Sequence, residues 1–445
     1  MYNIMSKLRV DPDRDLKRLL DAVNNNSVSI LPTSMGKHFE IAKLKPAEFR
    51  DHEPVLGISI GGSNTKIVLA SMAAGRPAVH LMSAGMNPSS KTHYTEYFDT
   101  LLFGNPKIKD FLKNADNLCI GISIAVPVVD GVPCHKNKIP TIDGLIARDY
   151  KRDSPTHNLK ENMLKYFQER DVNCKSLFCQ FDSIVANHGG ASLCDLKPDE
   201  KTLLLVCGTG LAAAIEEHTV SVGMVDVFNN ELDDDRLLPY DETEGHQYQY
   251  SIAGKGLYSL MERAVRIKSR EFGSKLGLCD LASFFKTARD TKTVIEIWES
   301  TLGEEARGRA REILSAIGAG AFSELGDVAA AIVERVVAGL ANCVAAAIYA
   351  NPDSDLKKHT VFFEGSIALN DNILPRLKSE IRHRISTSPV YNWIGVARPP
   401  MPSLDNILLP VTSVCRSITE KELQQVDLTV TGAVTAAIAE EILNQ

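Results

Sequence analysis

Residues 13 to 24, DRDLKRLLDAVN, repeat apolar side chains at Leu16, Leu19, Leu20 and Val23, the spacing of one helical face. The polar stretch NNNSVS then breaks that helix. Residues 54 to 71 alternate apolar and small side chains on both sides of a glycine turn, which predicts two strands. LCIGISIAVPVV, residues 118 to 129, reads as a buried strand that Pro127 ends or holds at a sheet edge. A loop follows in DGVPCHKNKIPTIDG, rich in Gly, Pro and Asn, and residues 159 to 170 read as a helix.

A second strand–turn–strand lies at residues 203 to 217, LLLVCGTGLAAAIEE. Its build resembles that of residues 56 to 69, LGISIGGSNTKIVL, though the residues differ. Residues 251 to 350 are mainly of helical pattern and end in the alanine-rich run DVAAAIVERVVAGLANCVAAAIYA. TVFFEGSIALN, residues 360 to 370, reads as a strand, a turn and a helix start, and TGAVTAAIAEEIL closes the chain as a helix. Strands alternating with helices predict an α/β fold. Two glycine-turn hairpins, one in each half, predict two like-built domains facing across a ligand cleft.

The length of 445 residues allows two or three domains. A composition of 44% hydrophobic and 24% charged residues is that of an ordinary globular protein. The formal charge of −7, from 49 basic and 56 acidic residues, argues against nucleic acid or an anionic membrane as the main partner. The nine cysteines form no CxxC pair and show no zinc-ligand spacing, so they read as free thiols of a reducing compartment. The start, MYNIMSKLRVDPDRDLKRLL, lacks the apolar core of a secretory signal, and the expected location is the cytoplasm.

A glycine turn exposes backbone N–H groups that can cradle phosphate oxygens, although most such turns merely join two strands. Two of them, one per half, strengthen the phosphate reading. No Walker loop, HRD or DFG segment, HExxH or GxSxG elbow occurs. Asp182, at the end of the apolar run LFCQFD, can be a general base at a strand end or simply a helix N-cap. His188 reads as a helix-surface or capping residue, and Asp233 to Asp235 as a solvated acidic run.

In this order, LGISIGGSNTK, SIAVPV with KNKIP, FDS, VCGTGLAAAIEE, NNE, IAGKGLYSLMERAVR, FFEGSIAL and TGAV resemble the motifs of the eukaryotic-type hexokinases, in the actin-like sugar kinase superfamily. The likeness covers roughly residues 30 to 440. It implies two actin-like (ribonuclease H-like) domains: a small one at 52–181 completed by the C-terminal helix 430–445, a large one at 182–429, and an N-terminal helical segment at 1–51. It further implies transfer of the ATP γ-phosphoryl group, with Mg2+, to the 6-hydroxyl of a hexose or amino sugar by a monomer or homodimer.

In that scheme Asp182 takes the hydroxyl proton and Lys138 neutralises charge near the transferred group. Asn137, Lys138, Asp182, Glu231 and Gln249 bind the sugar. ATP contacts fall on Gly61, Gly62, Ser63, Asn64, Thr209, Gly210, Gly365, Ser366 and Gly432. Six positions depart from the family pattern: Ser59 for an aspartate, Ala125 for a serine, Phe181 and Ala212 for asparagines, Asn137 for a threonine and Gln249 for a glutamate. These losses imply altered sugar specificity, or a hexokinase-like binding or regulatory protein with impaired turnover.

Overall fold

The computed structural model describes residues 11–44, 55–61, 64–73, 76–86, 94–129, 131–133, 158–194, 196, 200–208, 210–225, 247–253, 326–350, 359–365, 367–368, 373–387, 406–407, 413–416, 423–426 and 428–445. The chain divides into two compact units. The first comprises Met1–Leu31, Leu205–Ile215 and Thr219–Leu408; the second comprises Pro32–Leu204, Glu216–His218 and Leu409–Gln445. The N-terminal helix therefore belongs with the later half of the chain, and the division after the expected small domain falls near residue 204.

In chain order, the described elements are α1 (Pro12–Asn24), β1 (Ile30–Pro32), α2 (Gly36–Leu44), β2 (Val55–Ile60), β3 (Asn64–Ala73), β4 (Arg76–Met86) and α3 (Tyr94–Phe98). A π-helical turn (Asp99–Phe103), α4 (Pro106–Asn114), β5 (Leu118–Ile124), β6 (Val128–Val129), β7 (Val132–Pro133), α5 (Leu159–Gln168), β8 (Cys174–Phe181) and α6 (Asp182–Leu193) follow. The remainder is β9 (Lys201–Cys207), β10 (Leu211–Ile215), β11 (His218–Val220), two 3-10 turns (Val222–Met224 and Tyr248–Ser251), α7 (Gly326–Ala350), β12 (His359–Glu364), α8 (Leu374–Thr387), β13 (Asn406–Ile407), β14 (Ser413–Arg416), β15 (Leu423–Val426) and α9 (Leu428–Asn444).

Local chemistry explains several boundaries. Asp11 caps α1 by accepting from the Arg14 N–H at 3.1 Å, with proline at the first helical position. Asn26, at φ 56°, takes the left-handed conformation that ends the segment. The run at 118–129 is not one strand: β5 stops at Ile124, and Val128–Val129 pairs with Val132–Pro133 as a separate short hairpin. After β12 the chain turns at 367–368, and the next described helix begins at Leu374, past the predicted helix start.

In the second unit, a five-stranded sheet has the order β4-β3-β2-β5-β8. The β2–β3 and β3–β4 pairs are antiparallel, and the β2–β5 and β5–β8 pairs are parallel. One face packs Leu56, Ile58, Ile122 and Leu177 against Leu102, Tyr166 and Phe167 from the flanking helices. The other packs Val55, Val68 and Cys119 against Val430, Val434 and Ile438 of α9. Both faces of β2 and β5 are covered, so every residue of both strands is buried. In the first unit the order is β1-β11-β10-β9-β12-β13, and α7 packs on α1 and α8. This is a mixed α/β architecture.

Candidate functional site

The tetrapeptide Gly-Ile-Ser-Ile occurs twice, at 57–60 in β2 and at 121–124 in β5. The parallel pairing sets the two copies side by side in register: Gly57 beside Gly121, Ser59 beside Ser123, Ile60 beside Ile124. The glycines have a steric reason. A Cβ on Gly121 would lie 1.8 Å from the carbonyl oxygen of Ala433, and one on Gly57 would lie 2.9 Å from Val434 Cγ2. Two side-chain-free positions thus let α9 lie directly on the sheet.

Alternation puts Ser59 and Ser123 on the same face as those glycines, one step nearer the strands' carboxyl ends. The helix α9 runs against the strand direction there, since Cys119 donates its thiol to Glu441 at 3.1 Å while Gly121 abuts Ala433. Two strand residues span about 6.7 Å. That equals between four and five helical residues, at roughly 1.5 Å each. The two serines therefore face the first turn of α9, near Leu428. The register extends the row to Lys66 on β3, opposite Ser59, and to Gln180 on β8, opposite Ser123. Ser59, Ser123 and Gln180 are all buried. Ser123 Oγ is fully enclosed and has no hydrogen-bond partner among the described residues, and Gln180 Oε1 accepts from the Phe181 N–H at 2.8 Å.

Asp182 follows β8 directly and is the first residue of α6, with Phe181 in the cap position and no side-chain cap. The N-cap reading of Asp182 is thus corrected to one place further in, where a carboxylate meets the positive end of the helix. Asp182 and Phe181 are half-buried. The amino ends of α6 and α9 and the carboxyl ends of β2, β5 and β8 share one edge, the place where open α/β sheets bind ligands. Gly61 begins the turn at that edge; Asn64 opens β3, while Gly62 and Ser63 lie outside the described residues.

Behind this edge α6 crosses α9 closely. A Cβ on Gly432 would lie 1.7 Å from the Val185 carbonyl oxygen, and one on Gly189 would lie 2.5 Å from that of Leu428. Gly432, expected at the phosphate or ribose end of ATP, is buried in this crossing, which supplies a packing reason for glycine without a ligand. His188 is fully buried rather than on a helix surface or at a cap. Its ring bonds Thr435 Oγ1 at 3.1 Å and the His38 carbonyl at 3.2 Å, and burial pushes its pKa down to about 3.

In the first unit the second glycine turn is built around Cys207. Gly208 N–H donates to the Gly210 carbonyl at 3.1 Å, and Ile367 N–H donates to the Cys207 carbonyl at 3.2 Å. Gly365 has φ 92° and would drive a Cβ to 2.3 Å from that carbonyl, so only glycine fits. Two of the expected ATP residues, Gly210 and Gly365, are thereby brought to the end of one strand. Gln249, expected among the sugar ligands, holds this turn. Its Oε1 accepts from Leu211 N–H at 3.1 Å, and its Nε2 donates to Gln247 Oε1 and to Met224 Sδ. Lys138, Asn137, Glu231, Thr209 and Ser366 lie outside the described residues.

The Lys66–Ser59–Ser123–Gln180 row contains no carboxylate, and Mg2+ prefers anionic oxygen. Among the described residues no group of three His, Cys, Asp or Glu side chains could hold a metal ion. The row does not fit Mg2+.

No family model and no curated protein matches the sequence. Solved structures do. A hexokinase aligns with a TM-score of 0.55 at 15% identity, covering 98% of this chain and 96% of its own. A hexokinase from Schistosoma mansoni complexed with glucose aligns with a TM-score of 0.54 at 12% identity, covering 98% and 97%. A ROK family glucokinase from Streptomyces griseus in complex with glucose and AMPPNP aligns with a TM-score of 0.45 at 12% identity, covering 86% of this chain and 98% of its own. The two hexokinase alignments establish the fold, the two-domain actin-like α/β architecture, and at such identity the likeness is one of fold.

Proposed function

We propose that this protein is an ATP-dependent sugar kinase that transfers the γ-phosphoryl group to the 6-hydroxyl of a hexose or amino sugar, with Asp182 as general base. The observation that carries this reading is the position of Asp182 on the first turn of α6, at the edge where Gly61 begins its turn. Phosphoryl transfer needs an aligned acceptor, a base within reach and positive potential around the phosphates. Two helix amino ends supply part of that potential. The Gly208–Gly210 turn and Gly365 suit phosphate and nucleotide contacts in the first unit, and Lys138, Asn137 and Glu231 complete the sugar and charge contacts in this reading.

A second reading is favoured by Ser59, Phe181 and Ala125, which replace polar groups at this edge: a sugar- or nucleotide-binding regulatory protein with impaired turnover. ADP release with MgATP over glucose, mannose, fructose, glucosamine and N-acetylglucosamine separates the two. Turnover of one sugar well above an Asp182→Ala control supports the kinase; binding by calorimetry with no turnover of any sugar supports the regulator.

A further inference from the structure

We infer that Tyr248 and Asn342 are positioning residues: together they carry the docking of α1 on α7 to the Gly208–Gly210 turn, with Gln249 as the last link. All of these residues belong to the first unit. The inference deepens the kinase reading above and rests on it only for what the turn binds.

The links from α1 are hydrogen bonds and close packing. Asn342 of α7 is buried, and its Nδ2 has two protons to donate. One goes to the Pro12 carbonyl at the start of α1, at 3.0 Å, and one to the Tyr248 hydroxyl, at 3.4 Å. Arg335, Gly339 and Asn342 recur at helical spacing, so they share one face of α7. A Cβ on Gly339 would lie 2.3 Å from Ile252 Cγ2 and 3.4 Å from the Tyr248 hydroxyl, so the glycine lets residues 248–252 lie directly on the helix. Arg335 and Asp15 of α1 are both buried, and both act on the Tyr248 hydroxyl through their charge.

The same short segment holds the glycine turn on its other side. Gln249 follows Tyr248, and its Oε1 accepts from Leu211 N–H at 3.1 Å. The Gln249 carbonyl accepts from the N–H groups of Ile252 at 3.2 Å and Ala253 at 2.7 Å, and the Ile252 carbonyl accepts from Cys207 Sγ at 3.6 Å. Residues 249–253 thus form one closed turn wedged between α7 and the strand ends at Cys207 and Leu211. A movement of Tyr248 on α7 moves Gln249 Oε1 against Leu211. Tyr248 and Asn342 are buried, so a partner lost there is costly to replace with water.

Amide hydrogen exchange at Leu211 tests this without ligand or turnover, because its N–H is the group that Gln249 holds. Tyr248→Phe and Asn342→Leu should each speed Leu211 exchange at least fivefold and weaken MgATP binding, read by calorimetry, about tenfold. Tyr349→Phe is the matched control. It removes the 2.9 Å bond from the Tyr349 hydroxyl to Asn24 Oδ1, at the other end of α1 and about two helical turns along α7 from Asn342. Leu211 exchange and MgATP binding should stay within twofold of the wild type in that variant, even where it melts as early as Tyr248→Phe. Leu211 exchange at the wild-type rate in Tyr248→Phe, or raised equally in Tyr349→Phe, would overturn the inference, whether or not Asn342→Leu folds. Faster exchange in Tyr248→Phe alone, in a protein that binds no MgATP, would leave the relay standing and remove the kinase reading. Sugar phosphorylation with Leu211 exchange unmoved by Tyr248→Phe would do the reverse.

Discussion

Replacing Gly432 by alanine separates a packing role from a ligand-contact role, because the two predict opposite signs. In an ordinary helix interior the change stabilises by about 1 kcal/mol through helix propensity. Here the new Cβ would lie 1.7 Å from the Val185 carbonyl oxygen and 2.5 Å from its carbon, both backbone atoms. The closest comfortable C···O approach is roughly 3.3 Å, so the helices must part by about 1.6 Å. Neither side yields easily, since Gly189 touches the Leu428 carbonyl and the Gly432 N in the same crossing. Overpacking of this kind costs about 1–3 kcal/mol or more, and the tight backbone contact places it at the upper end. The net expectation is a loss of about 2 kcal/mol, or roughly 4–8 °C in the melting temperature of a unit of this size. Scanning calorimetry of Gly432→Ala beside Gly208→Ala is the assay. Gly208 has nothing within 4 Å of its Cβ position, so its variant should melt like the wild type. Because α6 carries Asp182 on its first turn, displacing it should also lower kcat/KM, by about 100-fold for an ångström-scale shift. A Gly432→Ala protein that melts at or above the wild-type temperature would refute the crossing geometry.

Gly365→Ala should lose several degrees of melting temperature, because φ 92° and the 2.3 Å approach to Cys207 both exclude a side chain. Two groups contribute to the acid limb of stability in overlapping windows, His188 beginning at the higher pH. His188 has a folded pKa near 3, below its unfolded value near 6.5, so the unfolded state binds the extra proton and stability falls as pH drops through that interval. Hydrogen bonding to His38 and Lys160 pulls Glu440 down to about 2, so its contribution is present above pH 4.5 and lost below it. Denaturation at stepped pH should therefore show His188→Gln flattening the slope between pH 4.5 and 6.5, and Glu440→Gln changing it only below pH 4.5. Burial holds the Cys119 and Cys179 thiols up at about 12, so a thiol reagent at pH 8 should leave both unmodified in the native protein.

Much of this was legible in sequence. The leucine spacing of α1 marked its buried face, because helical period and burial coincide there. The glycine turn after Ile60 was visible as a hairpin because alternating apolar residues flank it. Other features were hidden for identifiable reasons. Gly432 and Gly189 sit inside helices, and nothing local distinguishes a glycine that admits another helix from one that admits a ligand. His188 is polar in a helix whose residues from Ser183 to Ser192 are all buried, so the burial comes from α9 and α2, far away in the chain. Pairing, not pattern, made the Ser59–Ser123 row: the repeated Gly-Ile-Ser-Ile was the available signal, and it gains meaning only when the two copies lie in register. Lys66 and Gln180 enter through the same register and carry no motif of their own.

Phosphorus NMR of the protein with MgATP and each sugar in turn tests the role of Asp182 most directly, because it detects the product itself. A sugar phosphate monoester should grow in step with ADP for one sugar, and Asp182→Asn should abolish it at least 1,000-fold while retaining ATP binding and the wild-type melting temperature. A sugar phosphate signal that Asp182→Asn leaves undiminished would contradict the assignment of this sheet edge as the place where phosphoryl transfer occurs.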